Sequence, residues 1–101
     1  MKYKLVVKET AKAEIVEIAY QYENIQENLG YKFSDAIDIA LQDITVNPLG
    51  YQIKYDNYRT KVVKPFPYLL IFEVIKKEVI VYQCFVGKYD PVKLVRVHSK
   101  T

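Results

Sequence analysis

The residues of this chain able to do chemistry are cations on a short alternating stretch. Arg59 and Lys61 lie two apart in Tyr58–Lys64. On a β-strand that spacing puts both side chains on one face, about 6–7 Å apart. The separation matches successive phosphates of a single nucleic-acid strand. Lys54 and Lys64 flank the pair, and Lys88 and Tyr89 follow the last apolar run. Tyr89 is suited to stacking on a base. The chemistry on offer is recognition of an anion and stabilisation of charge developing on phosphate.

Other chemistries lack their residues. Three glycines form no nucleotide-binding pattern. Ser34 and Ser99 have no triad company. The acidic residues fall on helix faces expected to be solvated, so no paired-carboxylate site is argued. Cys84 is the only cysteine and sits in an apolar run, the setting of a buried structural thiol. His98, the only histidine, lies near the end of the chain. One His and one Cys exclude a zinc site built from such ligands, and one Cys excludes an internal disulfide. Neither metal nor cofactor is expected.

Charge is divided unevenly. Residues 1–50 hold five lysines and eight carboxylates, a net of −3; residues 51–101 hold ten cations and four carboxylates, a net of +6. Six of the ten tyrosines are in the basic half. Cations interleaved with aromatics suit an anionic partner.

The elements that must position these residues follow from periodicity. Tyr3–Val7 reads as a first strand. Thr10 is a plausible N-cap for a helix from Ala11 to about Gln26, with Ile15, Ile18, Ala19, Tyr22 and Ile25 on one face. Gly30 is placed to end that helix in the left-handed conformation. A second helix is expected over about 31–46, with Phe33, Ala36, Ile37, Ala40, Leu41 and Ile44 as its apolar stripe. Asn47-Pro48-Leu49-Gly50 stops it. Three strands follow, at Tyr58–Lys64, Tyr68–Ile75 and Glu78–Val86. Pro65-Phe66-Pro67 separates the first two, and Lys76-Lys77 turns between the last two. The plan is an α+β domain: an N-terminal strand, a helical hairpin and an antiparallel three-stranded meander, β-α-α-β-β-β. Residues 1–91 form one domain and 92–101 a C-terminal tail.

Tyr68–Ile75 is apolar on both faces, and helices cover only one. The tail, a second subunit or a partner chain must cover the other. Leu69, Ile71, Val92 and Leu94 are the expected partner contacts. No stretch approaches the roughly 18 apolar residues of a membrane span. With a free thiol and no signal peptide visible, the expected place is the cytoplasm.

From Arg59, Phe66-Pro67-Tyr68 and Gly87-Lys88-Tyr89-Asp90-Pro91, in that order behind a helical hairpin, the chain resembles the RelE/ParE superfamily of type II toxins. The resemblance spans about residues 3–91. It implies a toxin neutralised by an acidic antitoxin, as a homodimer or in a toxin–antitoxin heterocomplex, and one of two activities. RelE-like members cleave mRNA at the ribosome, a role that would fall to Arg59, Lys61 and Lys88. ParE-like members instead poison DNA gyrase. Leu69 stands where the RelE branch carries an arginine, and Tyr89 where it carries another. The Phe-Pro-Tyr entry is similar to the ParE, or plasmid-stabilisation, side. A third expectation is a degenerate, non-toxic module that only binds the antitoxin.

Overall fold

The computed structural model describes residues 3–87. Lys88, Tyr89, Val92 and Leu94, and the tail as a whole, lie outside them. The chain runs β1 (Lys4–Val7), α1 (Glu9–Ile25), α2 (Leu29–Val46), a 3-10 turn (Pro48–Gly50), β2 (Ile53–Tyr55), β3 (Tyr58–Val62), β4 (Tyr68–Ile75) and β5 (Glu78–Val86). The α+β plan holds. The strands form one sheet in the order β1-β5-β4-β3-β2, antiparallel except where β1 runs parallel to β5.

One strand was not expected. β2 has three residues, all exposed, too few for alternation to register. The two-residue turn Asp56-Asn57 holds it against β3, and Asp56 takes φ 54. Asp and Asn tolerate that conformation better than most residues, and this was the available signal.

The core lies between the hairpin and one face of the sheet. Phe33, Ala36, Ile37, Ala40 and Ile44 of α2 and Ala11 and Ile18 of α1 pack on Leu70, Phe72, Val79, Val81 and Cys84. Phe33 and Phe72 are both 0% exposed. Burying a side chain of that size contributes about 1.5–3 kcal/mol. Tyr22, Phe33, Phe66 and Tyr68 add edge-on ring contacts at the proline-rich loop.

The hairpin departs from expectation at its joints. Thr10 does not cap α1. Lys8 N–H still donates to the Val81 carbonyl as a continuation of β1, and Lys12 N–H donates to the Lys8 carbonyl, so the helix starts straight out of the strand. Ile25, expected on the apolar face of α1, is exposed. Gly30 does not end α1. Asn28 takes the left-handed turn at φ 72, and Gly30 lies inside the first turn of α2. Its role is proximity: a Cβ there would stand 2.6 Å from the Ala19 carbonyl oxygen.

Candidate functional site

Strand pairing decides where the cations of β3 point. Arg59 pairs with Phe72 and Lys61 with Leu70. Cross-strand partners share a face. Phe72 and Leu70 are core residues beneath the helices, so Arg59 and Lys61 lie on the helix-covered face. The expected sharing of one face is correct, but that face is closed over by protein. The Arg59 guanidinium donates to the Tyr51 carbonyl, and its Nε is buried without a partner. Lys61 Nζ lies 3.3 Å from an Asp43 carboxylate oxygen and 5.2 Å from the centre of the Tyr51 ring. Burial acts to lower the Lys61 pKa, but hydrogen bonds and charge from Tyr51 and Asp43 outweigh it and hold the ammonium above its ordinary value. Both cations therefore have internal anchors. Lys54 stands exposed on the edge strand β2, and Lys64 is exposed in the loop after β3. Of these four, Arg59 and Lys61 are tied within the protein and Lys54 and Lys64 are exposed.

The opposite face of the sheet carries the alternate residues. Across the strands the rows are Val6, Ile80, Glu73 and Tyr58, then Phe85, Leu69 and Val62. Ile71 lies between them, facing Thr60. Tyr82, the extra residue of a bulge opposite the Ile71/Phe72 step, joins Tyr58, Leu69, Ile71 and Phe85 in a second apolar cluster. The Tyr82 hydroxyl donates to Glu73 Oε1 at 2.7 Å, and the rings of Tyr58 and Tyr82 meet edge to face at 5.6 Å. Burial first, then the bond to Glu73, raises the Tyr82 pKa, so this phenol stays a donor. Neither arginine nor lysine from β3, β4 or β5 lies on this face. Leu69 and Ile71 both do; Ile71 is 2% exposed and Leu69 is partly buried.

A third feature was missed in the sequence. The outer edge of β5 is paired with β1 only as far as Val81. Beyond it, Glu14 of α1 turns inward, and its Oε1 accepts the Cys84 N–H at 2.9 Å. Glu14 is half-buried rather than on a solvated face, a correction to the reading of the acidic residues. Burial raises its pKa, partly opposed by the bonds from Cys84 and Gln83. Its position beside Ile15 and Ile18, on the flank of the apolar stripe, was the available signal. Burial pushes the Cys84 thiol up to about 12, which agrees with the structural role expected for it. Among the described residues no cluster of His, Cys, Asp and Glu is arranged to hold a metal ion.

The same arrangement of hairpin and sheet occurs in solved structures. The chromosomal ParDE TA system from P. aeruginosa contains a chain that superposes with a TM-score of 0.76 at 17% identity, covering 85% of this chain and 97% of that one. The E. coli DinJ-YafQ toxin-antitoxin complex gives 0.56 at 13% identity, over 85% of this chain and 93% of its own. The isolated E. coli RelE toxin gives 0.55 at 14%, over 98% and 99%. No family model and no curated protein matches the sequence. The chain has the RelE/ParE toxin fold, as its motif order implied.

Proposed function

We propose that this chain is the toxin of a type II toxin–antitoxin system, inhibiting growth by binding an essential protein target such as DNA gyrase and neutralised by an acidic antitoxin. The fold supports a toxin. One observation carries the choice of binding over cleavage. A phosphorane-stabilising site needs cations aimed at the phosphate. Here Arg59 and Lys61 are turned under the helices, and the other face presents partly buried Tyr58, Leu69 and Tyr82 around one carboxylate, over the buried Ile71 and Phe85. Losing one such charged contact costs about 3–4 kcal/mol in a transition state. A face of tyrosines and aliphatic side chains is suited instead to a protein surface. Leu69 and Ile71, with Val92 and Leu94 from beyond the described residues, are the proposed partner contacts. Lys54 and Lys64, with Lys88 and Tyr89, are the cations and ring left to meet an acidic partner.

The test is controlled expression in bacteria, with gyrase supercoiling and message integrity followed together. Growth arrest with loss of supercoiling and intact mRNA is expected. Arrest with mRNA cut within codons at the ribosome would overturn the binding reading. Absence of arrest, with retained affinity for an acidic protein encoded beside it, would reduce the chain to a non-toxic binding module.

A further inference from the structure

The end of β5 that β1 leaves unpaired opens onto a cavity between β5 and α1. Its volume is about 450 Å³, within the range of small-ligand sites. Ala13, Ile18, Phe85 and Val86 give it apolar walls, and Glu14 and Glu17 line it from α1. Neither Lys nor Arg lines it. The toxin reading above makes no use of this site.

Three observations identify the chemistry of its occupant. The first is an excess of acceptors. Glu14 Oε1 accepts the Cys84 N–H at 2.9 Å. The N–H and C=O of one strand residue point to the same side, so the Cys84 carbonyl is turned that way too. The Gln83 side chain also donates to Glu14, and its own Oε1 is buried without a hydrogen-bond partner. A buried acceptor left in that state calls for a donor. The second is charge. Glu14 is half-buried, and among the described residues no cation pairs with it. Glu17 meets only a neutral amide, that of Gln21, at 3.4 Å. A partly buried carboxylate without a counter-charge disfavours the fold until a cation joins it. The third is hydration. Apolar walls require the cation to shed water. A guanidinium is flat, weakly hydrated and carries a fork of N–H donors, whereas an ammonium is compact and strongly hydrated. Tyr68 and Phe85 add ring surface suited to a planar cation. We infer that the cavity between α1 and the end of β5 binds a guanidinium group, with Glu14 as its counter-charge and the acceptors around Glu14 taking its N–H donors. The site uses none of Lys54, Lys64, Leu69 and Ile71, so it stands independently of the contacts proposed above.

The test titrates the whole protein, followed by NMR, with methylguanidinium, N-acetyl-arginine methylamide and N-acetyl-lysine methylamide. Both guanidinium probes are expected to give saturable shifts at Ala13, Cys84 and Val86. The lysine amide, of equal charge, is expected to bind several-fold more weakly. Tighter binding of the arginine amide than of methylguanidinium would assign the group to an arginine side chain of a polypeptide; equal or weaker binding would assign it to a small solute. Glu14→Gln keeps an acceptor for the Cys84 N–H and removes the counter-charge. It should weaken both guanidinium probes by roughly tenfold or more, the effect of a lost charge-assisted hydrogen bond, with unchanged circular dichroism showing an intact fold. Glu17→Gln, at an exposed position, should weaken them by less than about fivefold. Absence of saturable shifts, shifts confined to other surfaces, equal affinity for the arginine and lysine amides, or undiminished binding by Glu14→Gln would each overturn the inference. The comparison of arginine with lysine needs no variant, so it decides the matter even if Glu14→Gln does not fold.

Discussion

Single carboxylates do more structural work here than their number in the sequence suggests. Both Glu23 oxygens are used: Oε2 accepts the Asn28 N–H at 2.9 Å and Oε1 the Gly30 N–H at 3.0 Å. The residue at the end of one helix thus caps the start of the next, where Asn28 supplies no side-chain cap. Glu23→Ala should lower the unfolding free energy by about 1–2 kcal/mol in urea, the range for a lost N-terminal cap. Glu14 acts differently. Its folded carboxyl binds a proton more readily than the unfolded one, so its stabilising contribution is full below about pH 4.5 and is lost as pH rises above that. Glu14→Gln keeps an acceptor for the Cys84 N–H and removes the titration. Its stability should therefore rise relative to wild type between pH 4 and pH 7, and urea titrations at both values would show it. The role of Glu23 was not legible in the sequence, and that of Glu14 was signalled only by its place on the flank of the apolar stripe. Each depends on a partner brought close by folding, and a charged residue between helical stripes reads as solvated until that partner is known.

At the scale of elements, the apolar periodicities were legible and the joints were not. The α2 stripe of Phe33, Ala36, Ile37, Ala40 and Ile44 is buried as its spacing required. The joint between the helices was assigned to Gly30, because glycine is the residue that most readily turns left-handed. Asn28 makes the turn instead, since Gly30 is needed where α2 touches α1. This distinction gives opposite expectations for one substitution. Glycine to alanine inside a helix ordinarily gains up to about 1 kcal/mol. At Gly30 the new Cβ would meet a backbone oxygen at 2.6 Å, and neither helix can yield without shifting the hairpin. Overpacking of this kind costs about 1–3 kcal/mol, which exceeds the propensity gain. Gly30→Ala should therefore destabilise the fold by about 1–2 kcal/mol, seen as a lower urea midpoint with an unchanged slope. A stabilised variant would mean that the helices stand farther apart than described.

For the whole molecule, the division of charge separates layers rather than marking one binding surface. The acidic half is the helical hairpin. Among the described residues, the cations of the other half are spread over β2, the loops and the covered face of β3. Alternation placed Arg59 and Lys61 together, but it could not say which face the helices would take. That choice follows from Leu70 and Phe72, their partners on β4. The consequence is measurable as salt dependence. A cation that touches phosphate contributes about one unit to the slope of log affinity against log salt. Arg59→Gln and Lys61→Gln should leave that slope unchanged for single-stranded RNA, because both side chains are bonded within the protein. Stability should respond instead. Arg59→Gln leaves the Tyr51 carbonyl without its donor and should cost about 1–2 kcal/mol. Lys61→Gln breaks a partly exposed ion pair and should cost less than about 1 kcal/mol. A slope reduced by about one unit in either variant, at unchanged stability, would show that these cations reach phosphate after all. The sheet would then have to open from the helices on binding, and cleavage would displace binding as the reading of this fold.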